Sequence, residues 1–163
     1  MALTITLGSA VQCTDGKGGS VSHIVFNPAT QHVDYLVVHR GLFGGHDHCV
    51  PAGRINAADP DQVSLALTVE ELKEMPELEY QVPGESFRQR SIPDYCVALD
   101  KTTPLRDRNG DLIGHVHGVV VDPEHRVERI LLDKKDEPGI PADRVTAWNE
   151  DGLTVQLAEQ IAG

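Results

Sequence analysis

Aromatic residues are scarce in this chain of 163: Phe, Trp and Tyr make up 4%, against 40% hydrophobic residues overall. A core drawn from that composition is aliphatic. No apolar run approaches the roughly 20 residues that a membrane-spanning helix requires, so membrane insertion is not expected. The opening stretch MALTITLGSAVQC has no basic segment ahead of a long apolar one, so a secretory signal is not expected. Both absences point to a cytoplasmic protein. Positive charge is also short, with 14 Lys and Arg facing 25 Asp and Glu, for a net charge of −11. Binding to nucleic acid draws on Lys and Arg that neutralise phosphates, so direct contact with RNA or DNA is disfavoured. Cysteine is limited to Cys13, Cys49 and Cys96, an odd number with no CxxC spacing. These are expected to be reduced thiols buried as small hydrophobes. Catalytic signatures are missing too: there is no GxSxG, Walker loop, GxGxxG or Ser/His/Asp order. Gly16, Gly18 and Gly19 are followed by no helix that would offer amides to a phosphate. Neither an enzyme nor a cofactor is implied.

What the chain does have is a repeat. VPAGRINA at 50–57 returns as IPADRVTA at 140–147, an offset of 90 residues. Each block is followed by an acidic turn, DPDQ or NEDG, and then by an alternating strand, VSLAL or LTVQL. Upstream, Asp15-Gly16 matches Asn109-Gly110, both hairpin dipeptides that favour positive φ. Gly19 matches Gly114, and the turn initiators Asn27-Pro28 and Asp122-Pro123 match each other. Each Asx-Pro turn leads into an apolar strand, VDYLVVH at 33–39 or VERILLD at 127–133. Short strands broken by frequent turn signals predict small antiparallel barrels rather than a parallel sheet. In VDYLVVH both faces are apolar, Val33/Tyr35/Val37 on one and Leu36/Val38 on the other, so one face fills a barrel and the other needs cover. Each repeat is close to the lower size limit for an independent core, so the two are expected to pack on each other or on a partner.

One helix is expected. Thr68-Val69-Glu70-Glu71 is a capping box, with Val69, Leu72 and Met75 on one face before Pro76. AEQIAG at 158–163 is its truncated counterpart. The division that follows is a first repeat with its helix at 1–75, a connector at 76–100 and a second repeat at 101–163. The connector reads as irregular, docked by Tyr80, Phe87 and Tyr95.

The order Gly turn, apolar strand, Asx-Pro turn, strand, Val-Pro-Ala-x-Arg and closing strand resembles the PRC-barrel family. LTVEELKEMPEL at 67–78 is similar to the tail that follows the barrel in stand-alone bacterial members. The resemblance covers about 60 residues in each copy. It implies a mainly β fold of two small antiparallel PRC-type barrels in tandem, with one short helix after the first. It also implies a non-catalytic adaptor that binds other proteins; the membrane-anchored and ribosomal-RNA roles of other members do not carry over, because this sequence shows no transmembrane helix and is acidic. A homodimer is the nearest form of such binding, because both long strands are apolar on two faces.

The side chains that invite a functional reading are few. Leu42 and Phe43, at a glycine-flanked loop tip, and Tyr35 are candidate protein contacts. His46 and His48 stand at i and i+2 in GGHDHC, which puts both imidazoles on one side of a strand as candidate metal ligands. Cys49 would face the other side, and His39 is the nearest further candidate. His115 and His117 form a second His-x-His, aligned with Ser20 and Ser22. Convergence of the two pairs would make a shared metal or pH-sensitive interface. A metal- or small-ligand-binding protein is therefore the alternative to the adaptor, although the bland reading of each pair is a polar loop or an exposed strand. Arg54 and Arg144, beside Pro51 and Pro141, recur in both copies and read as structural, like Gly19 and Gly114. Asp133–Glu137 reads as a solvated hairpin tip.

Overall fold

The computed structural model describes residues 2–41, 45–81, 84, 88–134 and 139–156. The chain is mainly β. Strand β1 (Leu3–Thr6) is followed by β2 (Ala10–Cys13), β3 (Gly16–Asn27), β4 (His32–Arg40), β5 (His46–Pro51), β6 (Ile55–Ala58) and β7 (Gln62–Leu65). Helix α1 (Val69–Lys73), the hairpin of β8 (Glu79–Gln81) and β9 (Arg88–Arg90), and β10 (Val97–Leu99) come next. The chain then repeats itself as β11 (Pro104–Asp107), β12 (Leu112–Val121), β13 (Val127–Leu132), β14 (Ile140–Pro141), β15 (Val145–Asn149) and β16 (Gly152–Val155).

Two sheets of matching order result, β5-β4-β3-β2-β7-β6 and β14-β13-β12-β11-β16-β15. The purely antiparallel expectation needs correction. Each sheet contains one parallel pair, β2 with β7 and β11 with β16, because the last hairpin of each repeat docks beyond its first strand. The hydrogen-bonded paths are open. Their two ends are consecutive in sequence and joined by a 3-10 turn, Ala52–Arg54 or Ala142–Arg144. Proline sets both turns alike, with φ/ψ of −57°/139° at Pro51 and −57°/140° at Pro141.

The turn chemistry holds in most places. Gly110 has φ +89°. Asn27 Oδ1 accepts from Ala29 N, and Asp122 Oδ1 from Glu124 N, as Asx turns do. The first hairpin differs: its two turn residues are Thr14 and Asp15, and Gly16 opens β3 opposite Cys13. Asp15 is used elsewhere, accepting from Val69 N at the start of α1. The capping box of α1 is present, with Leu72 buried and Val69 and Met75 packed on the core. Gly19 has φ +140°, and a Cβ there would lie 2.0 Å from the His39 carbonyl oxygen. At Gly114 a Cβ would meet Asp133 Oδ1 at 3.0 Å.

The halves are joined by a reciprocal exchange of strands. β1, ahead of the first repeat, pairs with β12 of the second sheet, Ile5 opposite Val119. β10, ahead of the second repeat, pairs with β3 of the first sheet, Leu99 opposite Ile24. The two Asx-Pro turns also bond across the pseudo-two-fold axis. Val127 N donates to Gln31 O and Val33 N to His125 O, both at 2.9 Å. Gln31 and His125, the acceptors, occupy matching turn positions with φ of +65° and +70°. Side chains from both halves then share one aliphatic cluster, including Ile5, Leu7, Ile24, Leu36, Leu105, Val119 and Ile130. Trp148 stacks on Phe26 across the halves, with ring centroids 3.8 Å apart.

The second face of β3–β5 is covered as its apolarity requires, and the cover comes from the segment after α1. Leu78, Ile92, Cys96 and Ala98 close over Val25, Val37 and Cys49, with Tyr35 half-buried at the edge. Cys49 N donates to Pro76 O and Leu78 N to Asp47 O, so this segment runs beside β5. Tyr95 does not dock it: it is 64% exposed, and the smaller apolar side chains do the packing. Phe87 and the side chain of Tyr80 lie outside the described residues, as do Leu42, Phe43, residues 135–137 and AEQIAG.

All three cysteines are buried and free. Burial pushes the thiols of Cys49 and Cys96 up to about 11, with Arg90 partly offsetting it at Cys49 and the Asp34 carboxylate adding to it at Cys96. Reaction of the native protein with a thiol-specific disulfide reagent at pH 8 is therefore expected to run more than about 100-fold slower than for a free cysteine. In urea all three should react at once, and a fast-reacting thiol in the native state would contradict the packing.

Candidate functional site

The residues singled out in the first repeat gather along β5. Strand alternation puts His46 and His48 on one face and Asp47 and Cys49 on the other. His48 is 7% exposed, and its Nδ1 lies 3.0 Å from the Met75 carbonyl oxygen. His46 is exposed and its Nδ1 contacts Glu77 Oε1. The two rings sit 6.3 Å apart between centroids. They line an open groove of about 510 Å³ together with Arg40, Lys73, Met75 and Glu77. Arg40 is anchored by Nε to Gly18 O at 3.0 Å, and Lys73 Nζ lies 3.4 Å from Glu70.

His39 does not join this groove. It lies across from Asp47 and its Nδ1 is 2.8 Å from Asp47 Oδ1, on the opposite face of the strand. The second His-x-His also stays apart. His115 Nδ1 is 3.4 Å from Asp133 Oδ2 on the second sheet, and His117 is exposed. Among the described residues no group of three or more His, Cys, Asp or Glu could hold a metal, so the two pairs do not converge on a shared centre. Arg54 is exposed, with Nη1 3.4 Å from Ala66 O. Arg144 Nη1 is buried without a hydrogen-bond partner among the described residues.

No family model matches the chain, and no curated protein matches it.

A second cluster, which sequence reading missed, sits where the halves meet. His23, Asp100, Thr102, Glu79, Arg90 and Glu150 line a polar cleft of about 280 Å³ with Leu78 and Ala98. Arg90 Nη1 bonds both Glu150 oxygens, at 2.9 and 2.7 Å, pinning the β8–β9 hairpin to the turn between β15 and β16. His23 Nε2 lies 3.5 Å from Asp100 Oδ2, and its Nδ1 lies 3.0 Å from Ser22 Oγ. These are the residue types of a hydrolytic triad, without its proton path. The Ser22 hydroxyl donates to Val37 O at 3.2 Å, and Ser22 does not line the cleft. The contact instead ties β3 to the end of exchanged strand β10.

Asp100 supports that tie. Burial pushes its carboxyl up, but the Thr102 hydroxyl and amide, the charge of His23 and the Thr103 hydroxyl together outweigh burial and hold it below the usual carboxylate range. A carboxylate lowered in the folded state stabilises the fold above its unfolded value near 3.9, and that contribution is lost as pH falls through the lower folded value. Asp100→Ala is expected to lower the urea midpoint at pH 7. The further drop between pH 5 and pH 2.5 should be smaller in the variant than in the wild type.

Proposed function

We propose that the chain is a non-catalytic, cytoplasmic interaction module made of two tandem PRC-barrel-like repeats, which binds protein partners and self-associates as a homodimer. Each sheet, with its path ends joined by the Pro-Ala-x-Arg turn, is the framework of such a barrel. One observation carries the reading: two matching faces are covered unequally. In the first sheet Val25 and Val37 are fully buried beneath Leu78, Ile92 and Cys96. Their counterparts in the second sheet, Val120 and Leu131, are only half-buried, and they are not part of the buried cluster that closes over the first face. The outer face of the first sheet, with Tyr35, is already occupied by the chain itself. The second face is the one left for a partner, and burying aliphatic side chains there stabilises a complex by about 25 cal/mol per Å² before association costs.

Size-exclusion chromatography with light scattering tests this directly. The expected mass is twice 17.7 kDa at high concentration. Leu131→Asp should return the protein to monomer with its circular dichroism unchanged. A protein that stays monomeric at every concentration, and that crosslinks to no partner in its native host, would remove the support for an interaction module.

A further inference from the structure

We propose that His46 and His48 bind a borderline divalent transition-metal ion (zinc, copper or nickel) through their two Nε2 atoms. Each ring already has its Nδ1 engaged. The Met75 carbonyl can only accept, so His48 Nδ1 carries the proton and donates to it across 3.0 Å. The Glu77 carboxylate likewise accepts from His46 Nδ1. Each neutral imidazole therefore keeps its lone pair on Nε2. A ring whose N–H is held by a carboxylate or a backbone carbonyl has its tautomer and orientation set for metal ligation, and its basicity raised.

Both rings belong to one face of β5 and line one groove. With metal–nitrogen bonds of about 2.0–2.1 Å, two imidazoles on one ion at a tetrahedral angle have centroids roughly 5 Å apart. The observed 6.3 Å is wider by about 1 Å, a gap that a turn of the exposed His46 side chain closes. Imidazole nitrogen suits zinc, copper and nickel better than the hard cations. Arg40 and Lys73 share the groove, but they offer no lone pair and are engaged by Gly18 O and Glu70. Glu77 adds a negative charge beside the pair. Because no third protein ligand converges here among the described residues, water fills the remaining coordination positions. The β12 pair lacks this preparation: His115 has Asp133 beside Nδ1, but no partner fixes the ring of His117 among the described residues.

Calorimetric titration of untagged protein with zinc chloride tests the assignment. One equivalent should bind with micromolar affinity. His46→Ala, at an exposed position, and Glu77→Ala, at a half-buried one, should each weaken binding at least 10-fold while circular dichroism stays unchanged. The His115→Ala/His117→Ala double variant should bind as the wild type does. Dissociation constants above about 1 mM, binding that survives His46→Ala, binding lost with the β12 pair instead, or indifference to Glu77→Ala would each overturn it.

Discussion

Neither half of the chain is expected to fold alone, and the two halves are expected to assemble when mixed. The natural division lies in the exposed loop at Asp94-Tyr95, so the fragments are residues 1–94 and 95–163. The first fragment loses β10 from the edge of β3, and the second loses β1 from the edge of β12. The exchanged segments bury Ile5, Leu7, Val97 and Leu99 almost completely. Each such aliphatic side chain contributes about 1.5–3 kcal/mol when buried, so the four together are worth roughly 6–12 kcal/mol. That is comparable with the whole stability of an ordinary domain, about 5–15 kcal/mol. An isolated fragment also leaves an unpaired strand edge exposed, which invites aggregation. Circular dichroism of each fragment should therefore show little β structure or progressive precipitation. An equimolar mixture should regain the spectrum of the intact chain and elute as a single complex. Independent folding of 95–163 as a stable monomer would show that the exchange is dispensable.

This exchange was not legible in the sequence, and the reason is physical. The repeat itself was legible because its turns demand particular residues. Asn27-Pro28, Asp122-Pro123, Gly19, Gly114 and the two Pro-Ala-x-Arg turns each meet a backbone requirement that few residues satisfy. LTIT in β1 and VAL in β10 meet no such requirement. The alternation of LTIT and the unbroken apolar run of VAL say that these strands are buried, but not against which sheet. The connector hid its role for a similar reason. Leu78, Ile92, Cys96 and Ala98 are spread through a Pro-containing stretch without any period, and only the fold gathers them over β3–β5. The His46/His48 pair stood out by its i, i+2 spacing. What prepares it did not, since Met75 O and Glu77 lie 27 and 31 residues away in sequence. The cleft around His23 and Asp100 was invisible on the same ground: its members come from β3, residues 78–102 and the last hairpin.

A single methyl group at Gly118 should test the seat of β1 more sharply than any truncation. Gly118 lies opposite Thr6, and a Cβ built on it would sit 2.3 Å from the Ile5 carbonyl oxygen and 2.9 Å from Thr6 Cα. Those are backbone atoms, so no side-chain rotation relieves the clash. Overpacking of an ordinary core costs about 1–3 kcal/mol. Here relief also requires β1 to move off β12, which uncovers Ile5 and Leu7. Gly118→Ala is expected to destabilise by about 3 kcal/mol or more, with Gly118→Val worse. The matching position in the first half is His23, which lies just beyond the residues of β3 that pair with β10. Gly53 supplies the control. A Cβ there meets nothing within 4 Å, and the second repeat carries Asp143 at the matching place in its 3-10 turn. Gly53→Ala should be neutral or stabilising by up to about 1 kcal/mol, through the reduced freedom of the unfolded chain. Urea unfolding reads both effects. Hydrogen exchange locates the first one: the amides of β1 should lose protection in Gly118→Ala before those of β4. Equal midpoints for Gly118→Ala and Gly53→Ala would mean that β1 does not lie against β12 in solution, and the strand-exchanged fold would fail with it.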